Sequence, residues 1–363
     1  MSLGKCLYVN FHTEGNFGGG KFNKTILALL KDLFDEVDVY LFPMEMERMQ
    51  NLKNTLHGYL NGMDARVAAE IVLKASSRRY DWIFLASSNF GKLVRGLRRK
   101  NIGAKICVLC NNVEFNFILS QLTTGFRPQL LLTLGATYLS ERSIANCADK
   151  VIVLNERERK ALERLYGRSA DAVVPIVLRD EFSDRCGEQS CRSVPCGGCQ
   201  TGVFIGSNFY ANKHAVEWFA SHVAPFTPDT FYEIVGKGFE SERRLERDNL
   251  RIIGTVDDIG IYYERADFVI APIFKGAGMK VKVAEAMMYG KSILGTPEAF
   301  EGYTDVPCYG KVCANADAFI KTINNRDFVA GYNPEARKCF LRLYEYTAVK
   351  EKLIKLFGHE SEK

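Results

Sequence analysis

Short apolar runs, mostly of β-branched and aliphatic residues, alternate along this chain with longer stretches whose apolar residues recur at helical spacing. In the first half the runs are CLYVNF (from Cys6), VDVYLF (from Val37), WIFLAS (from Trp82), KICVLC (from Lys105), KVIVLN (from Lys150) and AVVPIV (from Ala172). Between them lie segments such as FNKTILALLKDLF and DARVAAEIVLKASSRR, which read as amphipathic helices. Strands buried on both faces appear as continuous apolar runs, so the pattern predicts a parallel sheet covered by helices on both sides. It then begins again with GVFIGS (from Gly202), FYEIVG (from Phe231), LRIIGTV (from Leu250), DFVIAPI (from Asp267) and SILGTP (from Ser292). The segments between these, such as AVEWFASHV and KVAEAMMYG, again have helical spacing. Two Rossmann-like, doubly wound α/β domains in tandem fit this repetition better than one large sheet.

Length agrees, since 363 residues with 47% hydrophobic content are too many for one ordinary core. Residues 183–200 read SDRCGEQSCRSVPCGGCQ, polar and without apolar periodicity, as a linker does. The predicted division is therefore a first domain over 1–182, a Cys-rich linker over 183–200 and a second domain over 201–332. Within 333–363, EARKCFLRLYEYTAVKEKLIKLF has the spacing of one long terminal helix.

Charge and cysteine usage exclude several classes. Lys and Arg total 48 against 43 Asp and Glu, a net +5, which falls short of a nucleic-acid-binding charge. Met1 to Phe11 lacks the features of a signal peptide, and no run reaches the length of a membrane span, so the expected location is the cytoplasm. The 11 cysteines are an odd number, several of them inside strand-like runs, as reduced buried thiols are. Cys107 and Cys110 form a C-x-x-C, but period-two geometry puts them on opposite faces of a strand, as core residues.

The strongest local signal is IAPIFKGAGMKVKVAEAMMYGKSILGTP, residues 270 to 297. A strand ends at Pro272, a loop with Gly276 and Gly278 follows, and a helix is expected from near Met279 to Gly290. A helix start behind a glycine-rich loop offers backbone N–H groups and a positive dipole end to a diphosphate. Lys280 and Lys282 add charge there, and Glu285 supplies a carboxylate suited to two ribose hydroxyls.

Four blocks in order, GVFIGSNFYANKHAVEWF, FYEIVGKGFE, NLRIIGTVDDIGIYYERADFVIAPI and GAGMKVKVAEAMMYGKSILGTPEAFEGY, resemble the donor-binding domain of glycosyltransferase family 4 and its GT-B relatives. The resemblance covers roughly residues 202–303. It implies two Rossmann-like domains facing a cleft, a nucleotide held by the second domain, and a terminal helix crossing back to the first. Glu285 matches the second glutamate of the family's E-x7-E motif, the one that holds the ribose. Gly278, Met279 and Lys280 match the loop at the diphosphate. Ser207 stands where the family has an arginine for the same diphosphate, and Lys213 matches its lysine. Gly236, Lys237 and Gly238 match the loop beside the nucleotide, and Thr255, Val256 and Asp257 the segment along the base. The chain departs from the pattern at Ala277, where the first glutamate of the motif belongs; Lys280 or Lys282 then stands in for the missing arginine's charge.

The first half resembles the family's acceptor domain. Gly18, Gly19 and Gly20 close a glycine loop between the first strand and a helix, and Asn112 and Glu114 fall in a block, NNVE, that often reads HNVE in the family. With Asn111 at the histidine position, His12 is the remaining catalytic histidine candidate, beside Lys280 and Lys282. Gly15 to Lys21 also satisfies G-x-x-x-x-G-K, but Phe22 stands where a P-loop needs Ser or Thr. Cys186, Cys191, Cys196 and Cys199 are a candidate tetrahedral zinc set, the alternative being a loop of free thiols. Lys92, Arg95, Arg98, Arg99 and Lys100 near the apolar stretch Phe115 to Leu139 suit either a solvated helix face or peripheral contact with a membrane's inner face.

The resemblance implies transfer of a sugar from a UDP- or GDP-sugar to a glycan, lipid-linked or other acceptor, with retention. No cofactor is called for beyond the nucleotide-sugar itself; the lysines and the helix start near Met279 suit a metal-independent reaction, and the absence of a D-x-D triplet weakens a metal-dependent GT-A alternative. Two further readings stand: a GT-B sugar-nucleotide epimerase, and a non-catalytic GT-B subunit or scaffold.

Overall fold

The computed structural model describes residues 3–12, 19–44, 46–122, 128–183, 199–276 and 278–358. The chain divides into two compact units, Met1–Pro175 with Val349–Lys363, and Ile176–Ala348. The division expected after 182 thus falls between Pro175 and Ile176.

In the first unit the elements run β1 (Lys5–Phe11), α1 (Gly19–Leu33), β2 (Glu36–Phe42), α2 (Arg48–Leu56), α3 (Ala65–Ser77), β3 (Trp82–Leu85), α4 (Gly91–Arg99), β4 (Lys105–Cys110), α5 (Glu114–Leu122), α6 (Pro128–Cys147), β5 (Lys150–Val153), α7 (Glu156–Tyr166) and β6 (Ala172–Val173). Among the described residues the sheet has six parallel strands in the order β2-β1-β3-β4-β5-β6. Every apolar run named from the sequence supplies one of them. Ile83, Leu85, Val108, Val151 and Val153 form one core with Val67 and Ile71 of α3 and Leu93, Val94 and Leu97 of α4. Asp64 caps α3 by accepting from Val67 N at 2.8 Å, and Asn155 caps α7 by accepting from Glu158 N at 3.0 Å. Cys107 and Cys110 are buried on β4, and burial pushes both thiols up.

The second unit continues with β7 (Gln200–Ile205), α8 (Tyr210–His222), β8 (Thr230–Val235), β9 (Leu250–Gly254), α9 (Gly260–Arg265), β10 (Phe268–Ala271), α10 (Val281–Met288), β11 (Ser292–Gly295), α11 (Val306–Tyr309), β12 (Gly310–Val312), α12 (Ala316–Asn324) and α13 (Pro334–Leu343). Its described strands are again parallel, in the order β12-β11-β10-β7-β8-β9.

The terminal segment is not one helix. α13 is separate from α14 (Tyr346–Gly358) because the backbone at the break pairs elsewhere: Leu178 N donates to Tyr344 O at 3.0 Å, and Leu178 and Glu345 form a parallel bridge. α13 stays with the second unit. Its Arg337 donates through Nη1 to Asp180 Oδ1 and to Met288 O, both at 2.8 Å, and through Nη2 to Ser183 Oγ at 2.8 Å. The chain from Val349 belongs to the first unit, where Phe357 meets Phe34 and Trp82 edge to face at 5.4 and 4.9 Å.

Candidate functional site

In the second sheet the chain lays β8 and β9 on one side of β7 and then β10 and β11 on the other. The reversal point lies between β7 and β10, and the connections leaving their carboxyl ends part there, which opens the crevice where doubly wound sheets take ligands. The backbones around it are close. A Cβ on Gly236, whose φ is +146°, would lie 2.0 Å from Gly206 O, and one on Gly206 would lie 2.9 Å from Lys282 Nζ. Gly236 therefore needs glycine, and a side chain at Gly206 would push against Lys282.

The loop after β10 turns at Gly278 (φ +63°), and α10 begins at Val281, two residues later than the sequence suggested. The delay has a cause in Lys280. Its Nζ folds back to donate to Gly278 O at 2.7 Å and to Glu298 Oε1 at 2.9 Å, while its carbonyl accepts from Tyr303 OH at 2.8 Å. Lys280 therefore braces the turn. The helix ends as expected at Gly290, at φ +61°.

Lys282, in the first turn of α10, is 9% exposed. Its Nζ donates to Asn212 Oδ1 at 2.9 Å and lies 3.8 Å from the centre of the Phe204 ring. Burial brings this lysine down to about 7, with Glu285 pulling the other way. Glu285, 4% exposed, accepts from Tyr263 OH at 3.2 Å. Tyr263 stacks on Tyr289 at 5.0 Å, and burial together with Glu285 holds its hydroxyl protonated.

The other expected positions follow the carboxyl ends of β7, β8 and β9, with Lys213 on α8. Ser207 is exposed, and its carbonyl accepts from Asn212 Nδ2 at 2.7 Å. Lys213 pairs with Glu242, which Arg244 also reaches at 2.9 Å; the lysine's hydrogen bond holds that carboxyl below its ordinary value. The Gly236–Lys237–Gly238 turn is fixed by Asn208, whose N donates to Lys237 O and whose Nδ2 donates to Gly238 O, both at 2.9 Å. Thr255 N donates to Glu240 Oε1 at 2.5 Å, tying the start of the stretch Thr255, Val256 and Asp257, in which Thr255 and Asp257 are exposed, to the segment after Gly238. Hydrogen bonds from Thr255 hold the Glu240 carboxyl down at about 2. Ala277 lies outside the described residues.

Residues 199–325 match the family model for glycosyl transferases group 1. The second unit therefore carries the segment that resembles a group 1 glycosyl transferase domain. Along the whole chain the fold is GT-B. Sucrose-phosphate synthase from Thermosynechococcus elongatus superposes with a TM-score of 0.70 at 14% identity, covering 98% of each chain. HepE of Anabaena, solved with UDP-glucose, gives 0.66 at 12% identity over 98% of this chain and 99% of its own. The trehalose 6-phosphate synthase of Burkholderia multivorans gives 0.66 at 10% identity over 99% and 97%. Comparison by sequence with curated proteins finds no match.

Outside the group 1 domain the candidates are scattered over the first unit. Gly18 lies outside the described residues, whereas Gly19 and Gly20 are the first two residues of α1. His12 is exposed at the end of β1, its N–H donating to Phe42 O at 2.7 Å. Asn112 and Glu114 follow β4, Asn112 Nδ2 donating to Glu114 Oε1 at 3.1 Å. Beneath them are two carboxylates that sequence reasoning missed. Glu158 accepts from Val113 N at 2.6 Å, and Glu141 accepts from Glu114 N at 2.7 Å and from Tyr166 OH at 2.7 Å. Burial raises Glu114 and takes Glu141 to about 7.

In the group 1 domain the missed residues are Asn212, Phe204 and Tyr263, all within the quoted blocks but without a local pattern to single them out. Of the candidate zinc ligands, Cys186, Cys191 and Cys196 lie outside the described residues, and Cys199 is exposed. In the basic helix α4, Arg98 is committed to Cys147 O at 2.9 Å and to Asp149, whereas Arg95, Arg99 and Lys100 are exposed. Among the described residues no helix is long and apolar enough to cross a membrane. A groove of about 870 Å³ opens in the first unit beside Tyr80, Trp82, Lys105 and Phe357. It lies at the amino ends of β3 and β4, the wrong end of a doubly wound sheet for a nucleotide.

Proposed function

We propose that the protein transfers a sugar from a UDP- or GDP-linked donor to a glycan, lipid-linked or other acceptor. The observation behind this reading is α10 of the group 1 domain, which carries a buried lysine and a buried carboxylate three residues apart, at the reversal point of the sheet. Positive charge and backbone N–H groups at a helix start suit a diphosphate, and a carboxylate one turn on suits ribose hydroxyls. HepE of Anabaena is solved in complex with UDP-glucose, a donor of this class. Glycosyl transfer breaks the bond from the anomeric carbon to the diphosphate through an oxocarbenium-like transition state, and the leaving group gains negative charge. Lys282 and the start of α10 answer that charge with protein groups, which supports a metal-independent reaction. Retention follows from the family resemblance. The exposed Arg95, Arg99 and Lys100 suit a lipid-linked acceptor presented at an anionic membrane surface.

The test is a binding panel of UDP, GDP, ADP and CMP followed by thermal shift and calorimetry. A nucleotide at 100 times its Kd stabilises the protein by about 2.7 kcal/mol. Glu285→Ala should weaken that nucleotide by about tenfold or more, the value of hydrogen bonds to a charged group. Unchanged affinity in the variant would remove Glu285 from the site. No response to any nucleotide would favour the non-catalytic scaffold, which the alanine at 277 already suits. An epimerised nucleotide-sugar in the absence of any acceptor would favour the epimerase.

A further inference from the structure

One side chain joins the loop after β7 to the first turn of α10. Asn212, 4% exposed on α8, donates through Nδ2 to Ser207 O at 2.7 Å and accepts at Oδ1 from Lys282 Nζ at 2.9 Å. Its amide thus engages both segments that meet at the reversal point of the sheet. The three groups are tightly packed, since a Cβ on Gly206 would lie 2.7 Å from Asn212 Nδ2 and 2.9 Å from Lys282 Nζ. On the donor reading given above, we propose that Asn212 is a positioning residue for the donor diphosphate, holding the Lys282 ammonium beside the Ser207 loop so that both meet the phosphates together.

The surroundings of Lys282 make this arrangement sensitive to protons. From its own segment it faces Glu285, which favours the charged form, and Lys280, which opposes it. From α8 it faces the neutral Asn212 amide, while the neighbouring Lys213 is engaged by Glu242. From β7 it faces the Phe204 ring, and from α9 the Tyr263 hydroxyl, which lies 3.4 Å from the Lys282 carbonyl. Burial leaves the lysine titrating at about 7. A bound diphosphate restores the charged form, so binding above neutral pH takes up a proton.

The experiment is calorimetric titration of the full chain and of Asn212→Asp and Asn212→Ala with UDP and GDP at pH 7, 8 and 9. This range lies above the last ionisation of a phosphate, near pH 6, and the nucleotide's own titration is common to all three proteins. In the unaltered protein the affinity should fall by up to about tenfold per pH unit. Asn212→Ala should bind roughly tenfold to a hundredfold more weakly at pH 7, because a hydrogen bond to a charged group is lost. In Asn212→Asp the carboxylate keeps Lys282 charged, so the fall should move to higher pH. If Asn212→Ala does not fold, the nearly isosteric aspartate variant decides alone. Variants that keep the affinity and pH profile of the unaltered protein would overturn the assignment while leaving the donor reading intact. Weaker binding with an unmoved pH profile would also overturn it, as a merely structural role. A protein that binds neither nucleotide would remove the donor reading and this assignment with it.

Discussion

Replacing Lys282 with Met should change how the second unit's stability depends on pH, whatever the unit binds. The lysine titrates at about 7 in the folded chain against an ordinary value of 10.5. Its folded value is depressed, so below pH 7 both states carry the proton and folding bears the full cost of burying the charge. Between 7 and 10.5 the unfolded chain holds a proton that the folded chain has released, and stability rises with pH. The slope is at most about 1.4 kcal/mol per pH unit, and the full cost below pH 7 is roughly 3–5 kcal/mol. Met fills a similar volume without the charge, but it leaves Asn212 Oδ1 without this donor, which returns roughly 1–3 kcal/mol of that gain. The chain has two tryptophans, Trp82 in the first unit and Trp218 in the second, so a Trp82→Phe background lets fluorescence follow the second unit in urea. With Lys282 present, the unfolding free energy should rise from pH 7 to pH 9; with Met it should be higher at pH 6.5 and lack that rise. Equal slopes in the two proteins would refute the buried, titrating lysine.

Two further perturbations test other parts of the framework. Arg337→Ala strands Asp180 and the Met288 carbonyl and should cost about 3–5 kcal/mol, measured by urea unfolding, with partial recovery in the Arg337→Ala, Asp180→Ala double variant. Burial works against the Asp180 charge, but Arg337 and Ser183 outweigh it and hold the carboxyl below its ordinary value. The pair therefore stabilises fully above the unfolded aspartate value near 4 and is lost as pH falls through the lower folded value. Glu141 behaves in the opposite sense: its folded value of about 7 lies above the unfolded one near 4.3, so stability falls as pH rises between them. Glu141→Gln should flatten that slope in the first unit, and an unchanged slope would show that another group causes it.

The fold was readable in the sequence because strands of a parallel sheet are buried on both faces, and each of the eleven named runs became one. β12 escaped because Gly310–Val312 is three residues at a sheet edge, too short for any period. The break between α13 and α14 escaped because it depends on Leu178, more than 160 residues away in sequence, taking the Tyr344 carbonyl. In the site, the local chemistry of α10 was legible: glycine turn, lysines, Glu285 and the terminating Gly290. Which lysine does what was not. The pattern offered Lys280 or Lys282 for the diphosphate charge; in the fold Lys280 Nζ returns to Glu298 and to the Gly278 carbonyl. Lys282 is defined by Asn212 and Phe204, which reach it only through the order of strands in the sheet.

The return of the chain to the first unit at Val349 also sets an order of assembly during synthesis. The first sheet has all its strands once Val173 has been made, but Phe34 and Trp82 lack Phe357 until the ribosome has added about 180 more residues. At the usual 5–20 residues per second, that interval is roughly 10–40 s, ample for the second unit to form in the meantime. The first half of the chain is thus made first and completed last, and for that interval it presents an apolar slot around Trp82 that a chaperone, or another nascent chain, can fill before its own helix arrives.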